Sequence, residues 1–225
     1  SGTYYGFYVT THSSLWANDI IIDGFGGFGL MVQDASFAIL AGDNTIQNTG
    51  KEGLYVQENS TFINHNGTLT ITGSGEYGME IYLGSVANLT GVEISNSASS
   101  GLVSHYSSAY KMTHSLVDSN GSGIFTGYGS VGNMSNVDIT NNNNTGLTLY
   151  GTSSGYLDGT GTSVSNNAGN GITNTRSSFL YLRGGVISNN ADFGVSTYHN
   201  SYAYKHSSAT SSNNYTSSDS SSNGF

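Results

Sequence analysis

The stretch Gly53-Leu54-Tyr55-Val56-Gln57 opens on a glycine, places an apolar residue beside it, and places another two positions further on. The same step recurs at Gly6, Gly29, Gly53, Gly78, Gly101, Gly123, Gly146, Gly171 and Gly194, at spacings of 22 to 25 residues. A self-similar period of this length signals a solenoid or array rather than a mixed compact fold. Asn223-Gly224-Phe225 reads as the opening of a tenth step.

Other positions keep register with that glycine. Seven residues before it stand Ile22, Ile46, Ile71, Ile94, Ile139, Val164 and Ile187, with Val117 one place nearer to Gly123. Five residues before it stand Asn48, Asn96, Asn141, Asn166 and Asn189, and Gly24, Gly73 and Asp118 fill the other places. These are turn residues. Asn tolerates the left-handed backbone that a sharp corner demands, and its amide can bond to an Asn one coil away, so the row predicts an Asn ladder. A serine opens another strand-like stretch at Ser14, Ser36, Ser60, Ser85, Ser108, Ser130, Ser154, Ser178 and Ser201. Each repeat thus holds three short strand signals, with length variation absorbed by insertions at fixed corners.

The pattern predicts an all-β chain: a right-handed parallel β-helix solenoid of about 9–10 coils of 22–25 residues, with three sheets and a rise of roughly 4.8 Å per coil. Side chains alternate in and out along each strand. One inward row then reads Phe7, Leu30, Leu54, Met79, Leu102, Ile124, Leu147, Ile172 and Val195. The second reads Val9, Val32, Val56, Ile81, Ser104, Thr126, Leu149, Asn174 and Thr197. Each buried Leu or Ile contributes roughly 1.5–3 kcal/mol. The repeats predict one β-helix domain over residues 1–206, and 207–225, rich in Ser, Thr and Asn, is expected to be a degraded terminal coil or flexible end.

The segments Asn44–Tyr55, Val92–Val103, Val137–Leu149, Val164–Ile172 and Val186–Val195 resemble the parallel β-helix repeat of pectate-lyase-like proteins. That superfamily includes polysaccharide lyases and hydrolases, phage tailspikes, autotransporter passengers and other surface proteins. The resemblance covers essentially the whole chain and points to a surface, autotransporter-passenger-like or tailspike-like member. It implies a fold far more than a function, because one fold hosts many sites.

Composition narrows the function classes. The chain is 36% hydrophobic and only 8% charged, with a net charge of −9 and five Lys and Arg. Nucleic-acid binding needs a basic stripe that this chain lacks, and anionic membranes and strongly acidic glycans are disfavoured on the same ground. There are no cysteines, which removes disulfide and thiol chemistry. No stretch approaches the ~20 apolar residues of a membrane span. Ser1-Gly2-Thr3-Tyr4 has neither a basic nor an apolar region, so a mature chain or an excised segment is expected. The glycine cluster Gly24–Gly29 lacks the helix and the Lys-Ser/Thr pair of a nucleotide loop and reads as a tight corner.

Two constellations could carry function. Glycoside hydrolysis needs paired carboxyls, and Glu93, Asp118 and Asp138 are the candidate acids, expected on neighbouring coils. No Asn-Thr-Asp, Asp-Asp or Gly-His-Gly motif accompanies them, and Arg176 and Arg183 lie two to three coils on. The histidines show no metal-ligand spacing, and no metal or cofactor is expected. The second constellation is aromatic. Outward positions two and four after the glycine hold Tyr8, Tyr55, Tyr82, Phe125, Tyr150 and Tyr198, with His105 among them. An exposed aromatic stripe marks an interaction surface. The leading expectation is therefore a non-enzymatic extracellular, cell-surface or virion-surface β-helix (a shaft, filament or adhesin) whose partners are its own copies, associated end to end or laterally, or surface glycans. A polysaccharide-binding or polysaccharide-degrading β-helix is the alternative.

Overall fold

The computed structural model describes residues 4–214; the tenth step at Asn223-Gly224-Phe225 lies outside them. Among the described residues there are 25 strands and no helix, and every strand pairing is parallel. The glycine steps become one nine-stranded sheet, the first column, running from Phe7–Val9 through Leu54–Val56 and Ser100–His105 to Val195–Tyr198. Its register pairs Leu30 with Leu54, Leu102 with Ile124, and Ile172 with Val195. The chain is thus a solenoid of about nine coils.

The remaining strands form two further columns. The second holds Ser14–Asn18, Phe37–Ala41, Thr61–His65, Val86–Thr90, Ser154–Asp158, Phe179–Arg183 and Tyr202–Lys205. The third holds Ile21–Asp23, Asn44–Gln47, Leu69–Thr72, Val92–Ser95, Ser163–Ser165, Val186–Ser188 and Thr210–Ser212. Of the three expected sheets, these two join into one of sixteen strands, because Ala109–Asp118 and Val131–Thr140 run through the corner without a break. His114 and Asn136, both in the left-handed region, turn the chain inside those long strands. Pairing continues through Thr210–Ser212 against Val186–Ser188, so the stretch beyond residue 206 still carries a strand of the solenoid; residues 215–225 lie outside the described part.

Both inward rows are buried as the alternation requires, except Phe7, which is exposed because no described coil covers it from the other side. The repeat glycine has a steric cause. A Cβ on Gly53 would lie 2.4 Å from Ile71 Cγ2 and 2.8 Å from the Gly78 oxygen, and one on Gly123 2.6 Å from Ile139 Cγ2. Glycine and the β-branched residue of the next coil are therefore two halves of one contact. Val117 belongs to the same row, in register with Ile94 and Ile139. The residue missing from its coil lies in the corner after it.

The corners correct two details. Asn48, Asn96, Asn141, Asn166 and Asn189 do adopt positive φ, from 53° to 57°, but they do not form the ladder. In the short coil the left-handed place is taken by Ser119, not Asp118. The ladder is one residue later. The Nδ2 groups of Asn120, Asn142, Asn167 and Asn190 donate to the Oδ1 of Asn142, Asn167, Asn190 and Asn214, at 2.9–3.2 Å. The corner residue turns outward, so the next side chain is the one that points in. A second ladder lies before the second column, where the backbone N–H of Ser36 donates to Ser60 Oγ at 3.1 Å and Ser178 N–H donates to Ser201 Oγ at 3.1 Å. It runs through Ser13 and Ser153, not Ser14 and Ser154, which open the strands that follow.

Candidate functional site

The first column presents its outer face to solvent, and that face gathers most of the expected aromatic row. Tyr5 stacks on Tyr8 and on Phe28, with centroids 5.0 and 5.6 Å apart, and Phe28 stacks on Tyr55 at 5.3 Å. Tyr55 contacts Tyr82 at 6.4 Å, and Tyr82 contacts His105 at 4.8 Å. The chain of rings continues through Tyr106, Tyr128 and Tyr150, which Phe125 also touches at 6.1 Å. The Arg176 guanidinium closes it, 4.9 Å from the Tyr150 centroid. Phe125 leans over Gly127, where a Cβ would meet its Cε1 at 2.4 Å. Tyr198 is not brought in: its ring contact is with His199, and Thr175 separates it from Tyr150 along the sheet.

Sequence reasoning missed Tyr5, Phe28, Tyr106 and Tyr128, because they lie outside the two outward rows. A signal was available: Tyr106 and Tyr128 each stand two residues before a ladder serine, at corners with φ of 55° and 54°.

An acid cluster sits inside this face. Glu52, just before the repeat glycine, is 4% exposed, and its Oε2 has no hydrogen-bond partner. Burial pushes its carboxyl up to about 7, with the negative charges of Glu80 and Glu76 adding to the effect. Glu80 is buried under the aromatic rings, and its Oε1 lies 2.7 Å from His105 Nε2. Burial first, then Glu80 and Glu52, raises the Tyr55 hydroxyl; the same causes raise Tyr77. Glu80 and His105 stand two and four residues after successive repeat glycines, a diagonal on one face that the sequence pattern could have revealed. A carboxyl that keeps its proton near neutrality beside a carboxylate–imidazole contact can donate, accept and hold protons for a bound hydroxylated ligand.

The three expected acids fall elsewhere. Glu93 and Asp138 both pair with Leu116, one from each side, so they share a column two coils apart, roughly 10 Å along the axis. They line a cleft of about 340 Å³ with His114 and Asn136. Asp138 Oδ1 accepts from Ser163 Oγ at 2.5 Å. Asp118 is not part of that cleft. It pairs with Ser95 and Thr140, and its carboxylate accepts from Asn141 Nδ2 and Ser119 Oγ, each at 2.7 Å. Among the described residues no group of His, Asp and Glu could hold a metal ion, and no helix is long and apolar enough to cross a membrane.

The fold is similar to several solved polysaccharide-related structures. The A-module of a mannuronan C-5 epimerase from Azotobacter vinelandii aligns at 15% identity and a TM-score of 0.48, over 84% of this chain and 71% of that one. A periplasmic alginate epimerase aligns at 15% and 0.42, over 86% and 66%. A pectate lyase aligns at 12% and 0.47, over 88% and 66%. This chain spans about two thirds of their lengths. No curated protein sequence matches. Residues 67–216, from the middle of the third coil onward, match the family described as right handed beta helix region. The chain belongs to that right-handed β-helix family.

Proposed function

We propose that this protein is a polysaccharide-binding β-helix of the cell surface or extracellular space, which lays a neutral glycan chain along the outer face of its first column. The single observation that carries this reading is the unbroken run of aromatic rings from Tyr8 to Tyr150, with Glu52, Glu80 and His105 set among them. Aromatic edges supply apolar contact with sugar rings, and the carboxyls, imidazole and phenols supply hydrogen bonds to hydroxyls. Charge selects the class. Glu76 and Glu80 put negative charge at this face, and the nearby Lys51 lies over Phe28 at 5.3 Å, so a polyanionic glycan is repelled. The uninterrupted parallel pairing gives a stiff body that suits a surface segment presenting this face.

Affinity electrophoresis against neutral and acidic polysaccharides tests it. The chain should be retarded by a neutral glycan, and a Tyr55→Ser, Tyr82→Ser double variant with unchanged β-type circular dichroism should bind about tenfold or more weakly. Unchanged retardation by the double variant overturns the assignment.

A second reading is favoured by one observation, the Glu52 carboxyl at about 7 beside the Glu80–His105 contact. It makes the same face an acid–base centre that processes the bound glycan. New chain ends or altered sugar units, lost in Glu80→Gln, support it; an unchanged glycan after long incubation leaves binding alone.

A further inference from the structure

The second column carries another site on its outer face, away from the aromatic acid cluster. Strand register sets Lys111, Asn133, Tyr156 and Tyr181 in one row over successive coils. Asp158 and Arg183 stand side by side in the adjacent row. A groove of about 320 Å³ runs between the rows, a volume at the low end of small-ligand sites. Met134, buried, is its floor.

Three features of the groove point to a ligand. The first is an aromatic wall open on one side. Tyr181 is stacked on Tyr204 at 5.2 Å and 7°, while Tyr156 stands off at 6.2 Å and 47°, leaving a wedge between the two rings. The second is a fixed polar fork: Arg183 Nε and Nη2 donate to the two Asp158 oxygens at 2.9 and 2.6 Å. That contact holds the Asp158 carboxyl below its ordinary range, and both side chains stay open to solvent. The third is charge. In a chain of net −9 with five Lys and Arg, the groove holds two, and Arg183 is paired with Asp158. Lys111 is exposed at the mouth of the groove, with Asn88 and Asn133 as its register neighbours and no described ion-pair partner. The groove therefore keeps one uncompensated positive charge.

We propose that this groove binds one or two units of a saccharide that carries an anionic substituent. The sugar face packs in the tyrosine wedge, the Asp158–Arg183 fork takes its hydroxyls, and Lys111 takes the anionic group. Planar aromatic walls, a fixed donor–acceptor fork and a single free ammonium together fit a charged sugar better than a peptide or an apolar surface. The site is separate from the first-column face and has the opposite charge preference.

Calorimetric titration of the full chain with a uronic-acid disaccharide, the matching neutral disaccharide and inorganic phosphate tests this. The acidic disaccharide should bind about tenfold or more tightly than the neutral one at low salt, and the gap should narrow as salt rises. Lys111→Gln, at an exposed position, should close that gap and leave the weaker neutral binding in place. Tyr181→Ser should weaken both sugars, whereas Tyr82→Ser, on the face that takes a neutral glycan, should leave binding of the acidic disaccharide as it was. Equal affinity for the two disaccharides, a gap that survives Lys111→Gln, or loss of acidic-disaccharide binding in Tyr82→Ser overturns the proposal. Displacement of the acidic disaccharide by phosphate at equal concentration also overturns it, since the site would then recognise an anion and no sugar.

Discussion

In the first four coils the second inward row is Val9, Val32, Val56 and Ile81, and the corner position beside the repeat glycine holds Thr49, Ser74 and Ser97. From the fifth coil the same row reads Ser104, Thr126, Leu149, Asn174 and Thr197, and the corner holds Asn120, Asn142, Asn167, Asn190 and Asn214. The early coils bury apolar area on both inward rows and leave the Ser74 and Ser97 hydroxyls without partners. The later coils bury unpartnered polar atoms at Ser104, Asn174 and Thr197 and run an amide ladder beside them. Each apolar-to-polar exchange in the row forfeits about 1–2 kcal/mol of burial. Each ladder amide makes several buried hydrogen bonds worth about 1 kcal/mol apiece. One chemistry offsets the other, and the period of the coil survives the change.

The harshest way to break this comparison is at a row where the halves agree. Leu54 and Leu147 are both fully buried in the first inward row. Leu54→Asp and Leu147→Asp each bury an unpaired carboxylate, and each should cost about 4 kcal/mol or more. Urea denaturation followed by circular dichroism reads the loss. If one half tolerates the substitution, the solenoid is not one cooperative body, and the two halves unfold separately.

The corner should separate the halves. Asn142 accepts from the Asn120 backbone N–H and Nδ2 at 3.0 and 3.2 Å, and its own Nδ2 donates to Asn167 Oδ1 and the Val117 carbonyl at 2.9 and 3.2 Å. Asn142→Ala strands buried donors on Asn120 and an acceptor on Asn167, at a cost of about 3 kcal/mol. Ser74→Ala, at the equivalent place, removes a hydroxyl with no partner and should change stability by no more than about 0.5 kcal/mol. Equal losses from the two would mean that the ladder adds nothing specific.

Much of this was legible in the sequence, and the failures have physical causes. The glycine period and the β-branched row are steric partners, since Gly53 cannot carry a Cβ against Ile71, so composition had to betray them. Tyr8, Tyr55, Tyr82, Phe125 and Tyr150 came out on one face because strand alternation is rigid. The ladder lies one residue later than the spacing predicts, because two asparagines in a row, such as Asn141 and Asn142, look alike in a sequence. Only the left-handed turn at the first decides which one points inward. Glu52 carries no signal in the sequence, because what matters about it is burial and its neighbours one coil away. Those are set by lateral stacking, which spacing along the chain does not encode. The second groove was missed for the same reason: Lys111, Tyr156 and Arg183 are far apart in sequence and meet only through register.

The smallest expected effect is a difference in how the stability of the early coils responds to pH. Burial holds the Glu52 carboxyl at about 7 in the folded chain, against an ordinary value of 4.5. Between those two values the folded chain keeps a proton that the unfolded chain has released. Stability therefore falls as pH rises through that window and stays lower above it. Relaxation of the surroundings and entry of water soften the cost of burying this charge, so the loss amounts to about 1–2 kcal/mol. Glu52→Gln has no proton to lose, and its stability should be flatter over the same window; a melting series in buffers from pH 4.5 to 8 compares the slopes. Other groups titrate there as well, Glu58 among them, raised by its hydrogen bond to Asp34, so the quantity to read is the difference between parent and variant. Matching slopes would mean that Glu52 is ionised and solvated in the folded chain. The acid cluster would then be an ordinary charged surface, and the second reading of the first-column face would fall while its aromatic run remained.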